Sequence, residues 1–490
     1  MPKSMRPIMF VGTGSDVGKS VVNTAFCRIF LNDGYSPAPF KAQNMSLNSY
    51  ATPDGLEIGR AQAVQAEACG IPCSVAMNPI LLKPNSFMNS QVVLHGKPIG
   101  NKSAVEYFVG TDRDMLFSEA MKAYHSLDAK HSPIVIEGAG SISEVNLWDK
   151  DVTNMRVAEE VGAATYLVAD IDRGGVFASV YGTLQLLPQK HRDLIKGIVI
   201  NKFRGDAALF TDGRRILEEL TGKPVVGVIP YFNDIFVEQE DSVVLDAQRG
   251  SHREGVVNIA VVLLRHMSNF TDFNQLERLP NVHFFYTANP DELRRADIVI
   301  IPGSKNTISD LMHLRQNGLA KVILQHHTSG KPVYGVCGGY QIMGREIHDP
   351  HGVEGDIPSV AGLGILPVVT VLTADKKTEQ CRFSFLDSAD DCQGYEIHMG
   401  QTTAEVPSPL CHINGDTPDG YYLNPKAWGT YIHGVFDNQS VIQHMLAQLD
   451  VTQQVAVDYH QFKEQNYDKL AELVRQHVDM DYIYKTLRND

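Results

Sequence analysis

Short apolar runs recur along the chain, each bounded by turn residues and set apart from the next by a polar segment of helical length. In the first half the runs are Ile8–Val11, Ile134–Ile136, Tyr166–Ala169, Ile198–Ile200 and Val225–Ile229. Their apolarity is continuous rather than alternating. That suits strands covered on both faces and predicts an α/β fold with a parallel sheet. The stretch from Asn233 to Gly255 is charged and lacks a sustained apolar period, which predicts a domain junction. A second series follows at Ile259–Leu264, His283–Tyr286, Ile298–Ile301, Val333–Val336, Gly364–Val371 and Thr430–Ile432, predicting a second parallel-sheet domain. From Ser440 the pattern becomes helical and amphipathic through Leu487. The expected organisation is therefore residues 1–235, a linker at 236–255, a second domain at 256–440 and a helical segment at 441–490. No fixed-period repeat is present, which argues against a solenoid.

Composition narrows the function class. A length of 490 residues exceeds one ordinary core and predicts two to four domains. The net charge of −14 lacks the basic face that a broad nucleic-acid surface needs. Seven cysteines spread from Cys27 to Cys411 fit reduced thiols better than a secreted disulfide framework. The first apolar run is too short for a signal segment, and no 18-residue apolar stretch occurs, so a cytoplasmic location without membrane attachment is expected. Cys69 and Cys73 sit four apart with no paired Cys/His cluster, so they are expected to be structural. His326-His327 and His348 with His351 read as surface or turn residues.

Directly after the first run comes Gly12-Thr13-Gly14-Ser15-Asp16-Val17-Gly18-Lys19-Ser20, then an apolar helix-like stretch. Glycines there let backbone N–H groups approach phosphate oxygens, a lysine brings charge to the β/γ-phosphates, and a serine hydroxyl reaches Mg²⁺. The strict pattern places glycine six residues before the lysine, where this chain has Thr13 with Gly12 one step earlier. Thr13, Gly14, Asp16, Gly18, Lys19 and Ser20 are the candidate nucleotide-binding residues of the loop. Lys41, in Phe40-Lys41-Ala42-Gln43-Asn44, joins them. Glu137 closes a buried run in Ile136-Glu137-Gly138-Ala139-Gly140, a position suited to a Mg²⁺ ligand or its water shell. Asn201 follows the run Ile198–Ile200, where its amide can read a purine edge. A capping role for Glu137 and a turn role for Asn201 are the plainer alternatives, but both residues at strand ends in a phosphate-loop sheet favour nucleotide binding.

Tyr334-Gly335-Val336-Cys337-Gly338-Gly339-Tyr340-Gln341 sets a cysteine between a buried strand and a helix. Small neighbours permit a tight turn that presents the thiol, and a helix N-terminus favours its ionised form. His433, in Thr430-Tyr431-Ile432-His433-Gly434, is the candidate base. Gly303 and Ser304, in Pro302-Gly303-Ser304-Lys305-Asn306, are candidates for the backbone donors of an oxyanion site.

The phosphate loop with Glu137-Gly138-Ala139-Gly140 resembles the dethiobiotin synthetase type of ATP-dependent carboxylate-activating domain, a resemblance that covers roughly residues 5–230. The thiol half resembles class I glutamine amidotransferases, with one departure. That class follows its histidine with Pro-Glu, whereas this chain reads His433-Gly434-Val435. A Cys–His dyad is implied, oriented by backbone or by Glu396. Across nearly the full length, the chain resembles the cobyric and cobyrinic acid amide synthase family. The segments that carry this are Phe40-Lys41-Ala42-Gln43-Asn44-Met45-Ser46-Leu47-Asn48-Ser49, Gly59-Arg60-Ala61-Gln62-Ala63 with Gln65-Ala66, Met77-Asn78-Pro79-Ile80-Leu81-Leu82-Lys83-Pro84, and Ser90-Gln91-Val92-Val93.

The resemblance implies amidation of the peripheral b, d, e and g carboxylates of adenosylcobyrinic acid a,c-diamide, with MgATP and with glutamine as the nitrogen donor. ATP and Mg²⁺ are the implied cofactors, and the corrinoid is the implied small-molecule substrate. It also places Glu144, seven residues after Glu137, where the related a,c-diamide synthase has another acid. Glu144 is thus a candidate for Mg²⁺ or substrate, or for a loop amide. Asn48 stands where that relative has an aspartate, so no carboxylate role carries over to it. Two alternatives stay open: a glutamine-dependent synthase of the same build acting on another acid, such as at the a,c-diamide stage, and a nucleotide switch of the partitioning type. The second lacks a fused thiol loop.

Overall fold

The computed structural model describes residues 5–84, 89–103, 106–107, 112–238, 250, 252–386, 388, 391–449 and 459–488. Of the sequence-predicted junction, residues 239–249 and 251 lie outside that set, as do 450–458 of the helical segment. The chain divides into two compact units. One comprises Met1–Ser46, Ile58–Glu238 and His460–Asp490, and the other Leu47–Glu57 with Gln239–Tyr459.

The first unit is built on a six-stranded parallel sheet. In spatial order its strands are Val225–Pro230, Ile195–Phe203, Ala164–Asp170, Ile8–Gly12, Ile134–Glu137 and Ala38–Phe40. Ile8–Gly12 and Ala164–Asp170 are buried at every position, the pattern that continuous apolarity demands when helices cover both faces. The helix Lys19–Asn32 packs Phe26 and Phe30 against Phe10, with the Phe10 and Phe26 ring centroids 4.7 Å apart. Each fully buried ring of this kind contributes ~1.5–3 kcal/mol relative to exposure. The C-terminal helices Tyr459–His477 and Met480–Arg488 close the same core with Leu470, Val474, Ile483 and Leu487. Arg28 ties the first of them down through Glu464 at 2.8 Å and Asp468 at 2.6 Å. A separate four-stranded sheet, Gln43–Met45, Ile80–Pro84, Asn89–Leu94 and Lys97–Ser103, also belongs to this unit and lies outside the apolar runs read above.

In the second unit a sheet of order Val282–Thr287, Val257–Val262, Ile298–Ile301, Val333–Val336, Ala427–Thr430 and Tyr421–Asn424 is parallel except at its last pair. Trp428 and Tyr334 stack at its centre, 4.3 Å between rings. A second, largely antiparallel sheet is dominated by the long strands Val368–Phe385 and Cys392–Ala404.

Three expectations need correction. The strand expected at Gly364–Val371 begins only at Val368, because Gly364 sits in a turn at φ 71°. Thr430–Ile432 is not one strand. The parallel strand ends at Thr430, and Ile432–His433 pairs instead with Tyr395 and Glu396 of the antiparallel sheet. Asp419 drives this crossing, taking the Thr430 hydroxyl and the Tyr431 N–H on one buried carboxylate. His326 is buried rather than superficial, and burial pushes its imidazole down to about 4. Among the described residues, no helix is long and apolar enough to cross a membrane.

Candidate active sites

In the second unit, the strand Val333–Val336 delivers Cys337 to the first residue before the helix Gly338–Met343. Cys337 adopts φ 51°, ψ −111°, a conformation costly for a side chain bearing a Cβ, and such strain collects at functional turns. Its N–H donates to the Thr430 carbonyl at 2.8 Å, which locks the turn to the neighbouring strand. The turn depends on Gly339, where a Cβ would come within 1.9 Å of the Ile301 carbonyl oxygen.

Gly303 and Ser304 lie against this elbow. A Cβ at Gly338 would meet the Ser304 nitrogen at 2.8 Å, and one at Gly303 would meet His433 Cε1 at 3.3 Å. The Ser304 hydroxyl donates to Asp310 at 2.6 Å, so the backbone, not the side chain, is the group aimed at the thiol turn.

His433 is 1% exposed, and its Nδ1 sits 2.7 Å from Asp272 Oδ2. The other Asp272 oxygen accepts the Gly434 N–H at 3.0 Å. Burial alone pushes the imidazole down. The Asp272 carboxylate and the Cys337 sulfur more than offset that and raise it to about 10. Tyr395 stacks on the ring, 5.3 Å between centroids. Glu396, one of the two orienting groups expected from sequence, is engaged elsewhere. It pairs with Lys377 at 2.5 Å and His398 at 3.2 Å, which hold its carboxyl down at about 2 against the penalty of burial. Asp272 takes that orienting place. It went unseen because it lies 161 residues from His433 and belongs to no fixed spacing. The available signal was an acid wedged in the apolar segment Phe270-Thr271-Asp272-Phe273.

In the first unit, the phosphate loop runs from Gly12 to the helix at Lys19, with Asp16 at φ 57° and Gly18 at φ 92°. The Thr13 N–H donates to the Val168 carbonyl at 3.1 Å, and Lys19 Nζ donates to the Gly14 and Gly140 carbonyls, both at 2.9 Å. Asn201 Nδ2 donates to the Val17 carbonyl at 3.0 Å, so this amide braces the loop. Gly18 must be glycine: besides its left-handed φ, a Cβ would come within 2.1 Å of that Asn201 nitrogen. Lys202 reaches the Asp16 carbonyl at 2.5 Å and the Asp170 carboxylate at 2.9 Å.

Glu137 gathers three side-chain donors on one buried carboxylate. Its Oε1 accepts from Lys41 Nζ at 2.7 Å and Ser20 Oγ at 2.8 Å, and its Oε2 accepts from Gln65 at 2.6 Å. Burial pushes the carboxyl up, but Lys41, Gln65 and Ser20 together hold it below the usual range. An ionised carboxylate beside a hydroxyl at the mouth of a phosphate loop is a hard-oxygen donor set of the kind Mg²⁺ takes. Ser20 and Glu137 therefore fit that ion. Glu144 is exposed at the head of the 3₁₀ turn Val145–Lys150. All seven cysteines are buried and unbridged.

Comparison with known proteins supplies the remaining findings. Residues 8–243 match the family described as the CobQ/CobB/MinD/ParA nucleotide binding domain, and residues 258–441 match the CobB/CobQ-like glutamine amidotransferase domain. A Parabacteroides distasonis protein named cobyric acid synthase is 57% identical over 100% of both chains. A Bacteroides fragilis protein of the same name is 58% identical, again over 100% of both. One from Streptococcus sanguinis is 45% identical over 99% of each chain.

Proposed function

This chain belongs to the cobyric acid synthase family of glutamine-dependent, amide-forming ligases, and from that premise we propose that it amidates the b, d, e and g carboxylates of adenosylcobyrinic acid a,c-diamide. The observation that carries the reading is the buried line from Cys337 through His433 to Asp272, in the same chain as a phosphate loop closed on Lys19.

At the thiol site, Cys337 attacks the glutamine carboxamide carbon. His433, kept protonated by the Asp272 carboxylate, balances the charge of the attacking sulfur and gives its proton to the departing nitrogen, while Asp272 fixes the ring. Backbone N–H groups of Gly303 and Ser304 receive the oxyanion. Ammonia leaves, and water frees glutamate from the thioester.

In the N-terminal domain, expected over residues 1–235, a substrate carboxylate takes the γ-phosphoryl group of ATP to give an acyl phosphate and ADP. Carboxylate is a poor electrophile at neutral pH, so the leaving group has to be installed first. Backbone N–H groups of Gly14, Asp16 and Gly18 cradle the phosphates, Thr13 ties the loop to the neighbouring strand through Val168, and Lys19 adds charge at the transferred group. Lys41 steadies Glu137, and Asn201 holds the loop in shape. Mg²⁺, held by Ser20 and Glu137 with Glu144 as a further acid, would supply neutralisation of phosphate charge. Ammonia then attacks the acyl carbon and phosphate departs.

The test is a mass measurement. Protein incubated with glutamine, MgATP and the a,c-diamide should lower the substrate mass by about one unit per amide formed, up to four times, because each step replaces OH by NH₂. Cobyrinic acid offered in parallel separates this reading from an a,c-diamide synthase. Cys337→Ser should abolish glutamine-dependent turnover and retain turnover with free ammonia. Persistence of both overturns Cys337 as the nucleophile.

A further inference from the structure

Residues 47–57 belong to the second compact unit, although the chain on either side of them belongs to the first. Part of the segment is buried like a core, while Pro53 and Asp54 at its turn are exposed. Asn48 and Ser49 are each 1% exposed, and Ala51, Thr52 and Glu57 are fully enclosed. Two anchors fix the segment: Gln380 Nε2 donates to the Ala51 carbonyl at 2.9 Å, and Glu57 forms a buried ion pair with Lys376.

What the segment touches is informative. Asn48 Oδ1 accepts the Phe270 N–H at 3.0 Å, and the Ser49 N–H donates to Asn269 Oδ1 at 3.0 Å. Asn269 sits at φ 52° and heads the one-turn 3₁₀ helix Phe270–Phe273, whose third residue is Asp272. One turn has little cooperativity of its own, so contacts from outside it bear directly on how it is held. Tyr50, one residue further on, packs edge-on against Tyr395 at 4.5 Å, and Tyr395 is the ring stacked on His433. The short strand from Ser49 therefore backs both supports of the imidazole, its carboxylate and its stacking partner.

We propose that Asn48 and Tyr50 are positioning residues of the glutamine-hydrolysing centre, holding Asp272 and Tyr395, and through them His433, in register with Cys337. This rests on the assignment of Cys337, His433 and Asp272 given above. Both act through other residues, Asn48 through the Phe270 N–H and Tyr50 through the Tyr395 ring. Their effect is geometric, and displacement of a catalytic group by about 1 Å costs on the order of 10²-fold in rate.

The test uses full-length Asn48→Ala, Tyr50→Ala, Tyr50→Phe and Asp272→Asn proteins. Glutamate release gives kcat and KM for glutamine, and peptide mass spectrometry follows iodoacetamide labelling of Cys337 from pH 6 to 9. Asn48→Ala and Tyr50→Ala are expected to lower kcat by ~10–100-fold with KM changed less than about threefold. Their labelling profiles should move toward that of Asp272→Asn. Tyr50→Phe keeps the ring edge and should match the parent protein. Ammonia-dependent synthesis by Tyr50→Ala should be unchanged. If Asp272→Asn loses kcat and shifts the profile while Asn48→Ala and Tyr50→Ala do neither, the positioning role is overturned and the catalytic reading stands. If Asp272→Asn is itself without effect, the catalytic reading is what fails. A fall in kcat that tracks a lowered melting temperature, with an unmoved labelling profile, marks a merely structural role and also overturns the proposal. Should Asn48→Ala not fold, the Tyr50→Ala and Tyr50→Phe pair decides alone.

Discussion

His433 and Asp272 stand 161 residues apart in sequence and 2.7 Å apart in space, with both side chains about 1% exposed. A buried imidazole and a buried carboxylate each meet a steep desolvation penalty, so neither is stable in its charged form without the other. The pair is then also a titration device, because the carboxylate raises the imidazole to about 10 against the opposing effect of burial.

Asp272→Asn should therefore change the pH dependence of stability. A histidine whose folded-state pKa lies above its unfolded value of about 6.5 stabilises the fold fully below that value, and the contribution is lost as pH rises toward 10. Urea unfolding of the parent and of Asp272→Asn should differ most at pH 6–7 and converge toward pH 10. Glutamine hydrolysis at pH 7 should fall by ~10²–10⁴-fold, the usual worth of a positioned acid–base group. Equal stability differences at every pH would contradict the coupling.

Gly339→Ala tests the elbow independently of its chemistry. The added methyl would have to sit 1.9 Å from the Ile301 carbonyl oxygen, a backbone atom that cannot rotate away. Either the helix Gly338–Met343 retreats from the sheet or the turn at Cys337 opens. The expected result is a lower melting temperature together with loss of glutamine-dependent activity. An active, equally stable variant would show that the thiol turn does not need this close approach.

Most parallel strands of both units were legible because strands covered on both faces must be apolar at successive positions, a pattern one sequence displays without help; Ala38–Phe40 and Ala427–Thr430, short and interrupted by Pro39 and Gly429, were not. Lys19, Cys337 and the glycines around them were legible for a related reason: close backbone approach restricts residue choice locally. Asp272 was not, since its partner comes from another element and nothing in the intervening chain encodes the distance. The long strands Val368–Phe385 and Cys392–Ala404 were largely hidden as well. Their burial alternates and their exposed faces are polar, so they lack the continuous apolar run that marked the others. The crossing at Thr430 escaped notice because Asp419, which directs it, reads in sequence as an ordinary turn acid.

Glu137→Gln is expected to be more damaging than the loss of one hydrogen bond. Lys41 would stay buried at 9% side-chain exposure with its carboxylate partner gone, and breaking a buried pair in this way costs ~3–5 kcal/mol. In the parent, a carboxyl held below its usual range contributes stability that is present above the unfolded value and lost as pH falls through the folded one. Chemical unfolding between pH 3 and 7 should show the parent losing stability on acidification, with Glu137→Gln losing less over the same range. Amidation should fail with glutamine and with ammonia alike.

Lys19→Ala separates the phosphate loop from the thiol site. Lys19 Nζ rests on the Gly14 and Gly140 carbonyls, each at 2.9 Å, with the residue 7% exposed. On the proposed reading this ammonium meets the phosphates of ATP. Without that charge, calorimetric titration with MgATP should show affinity weakened by ~10–100-fold, equivalent to one charge-assisted contact of about 1.5–3 kcal/mol. Synthesis driven by free ammonia should be lost together with synthesis driven by glutamine, because both need the acyl phosphate. Retained ammonia-driven synthesis would mean that carboxylate activation happens without the loop, and the N-terminal half of the mechanism would have to be rebuilt around a different site.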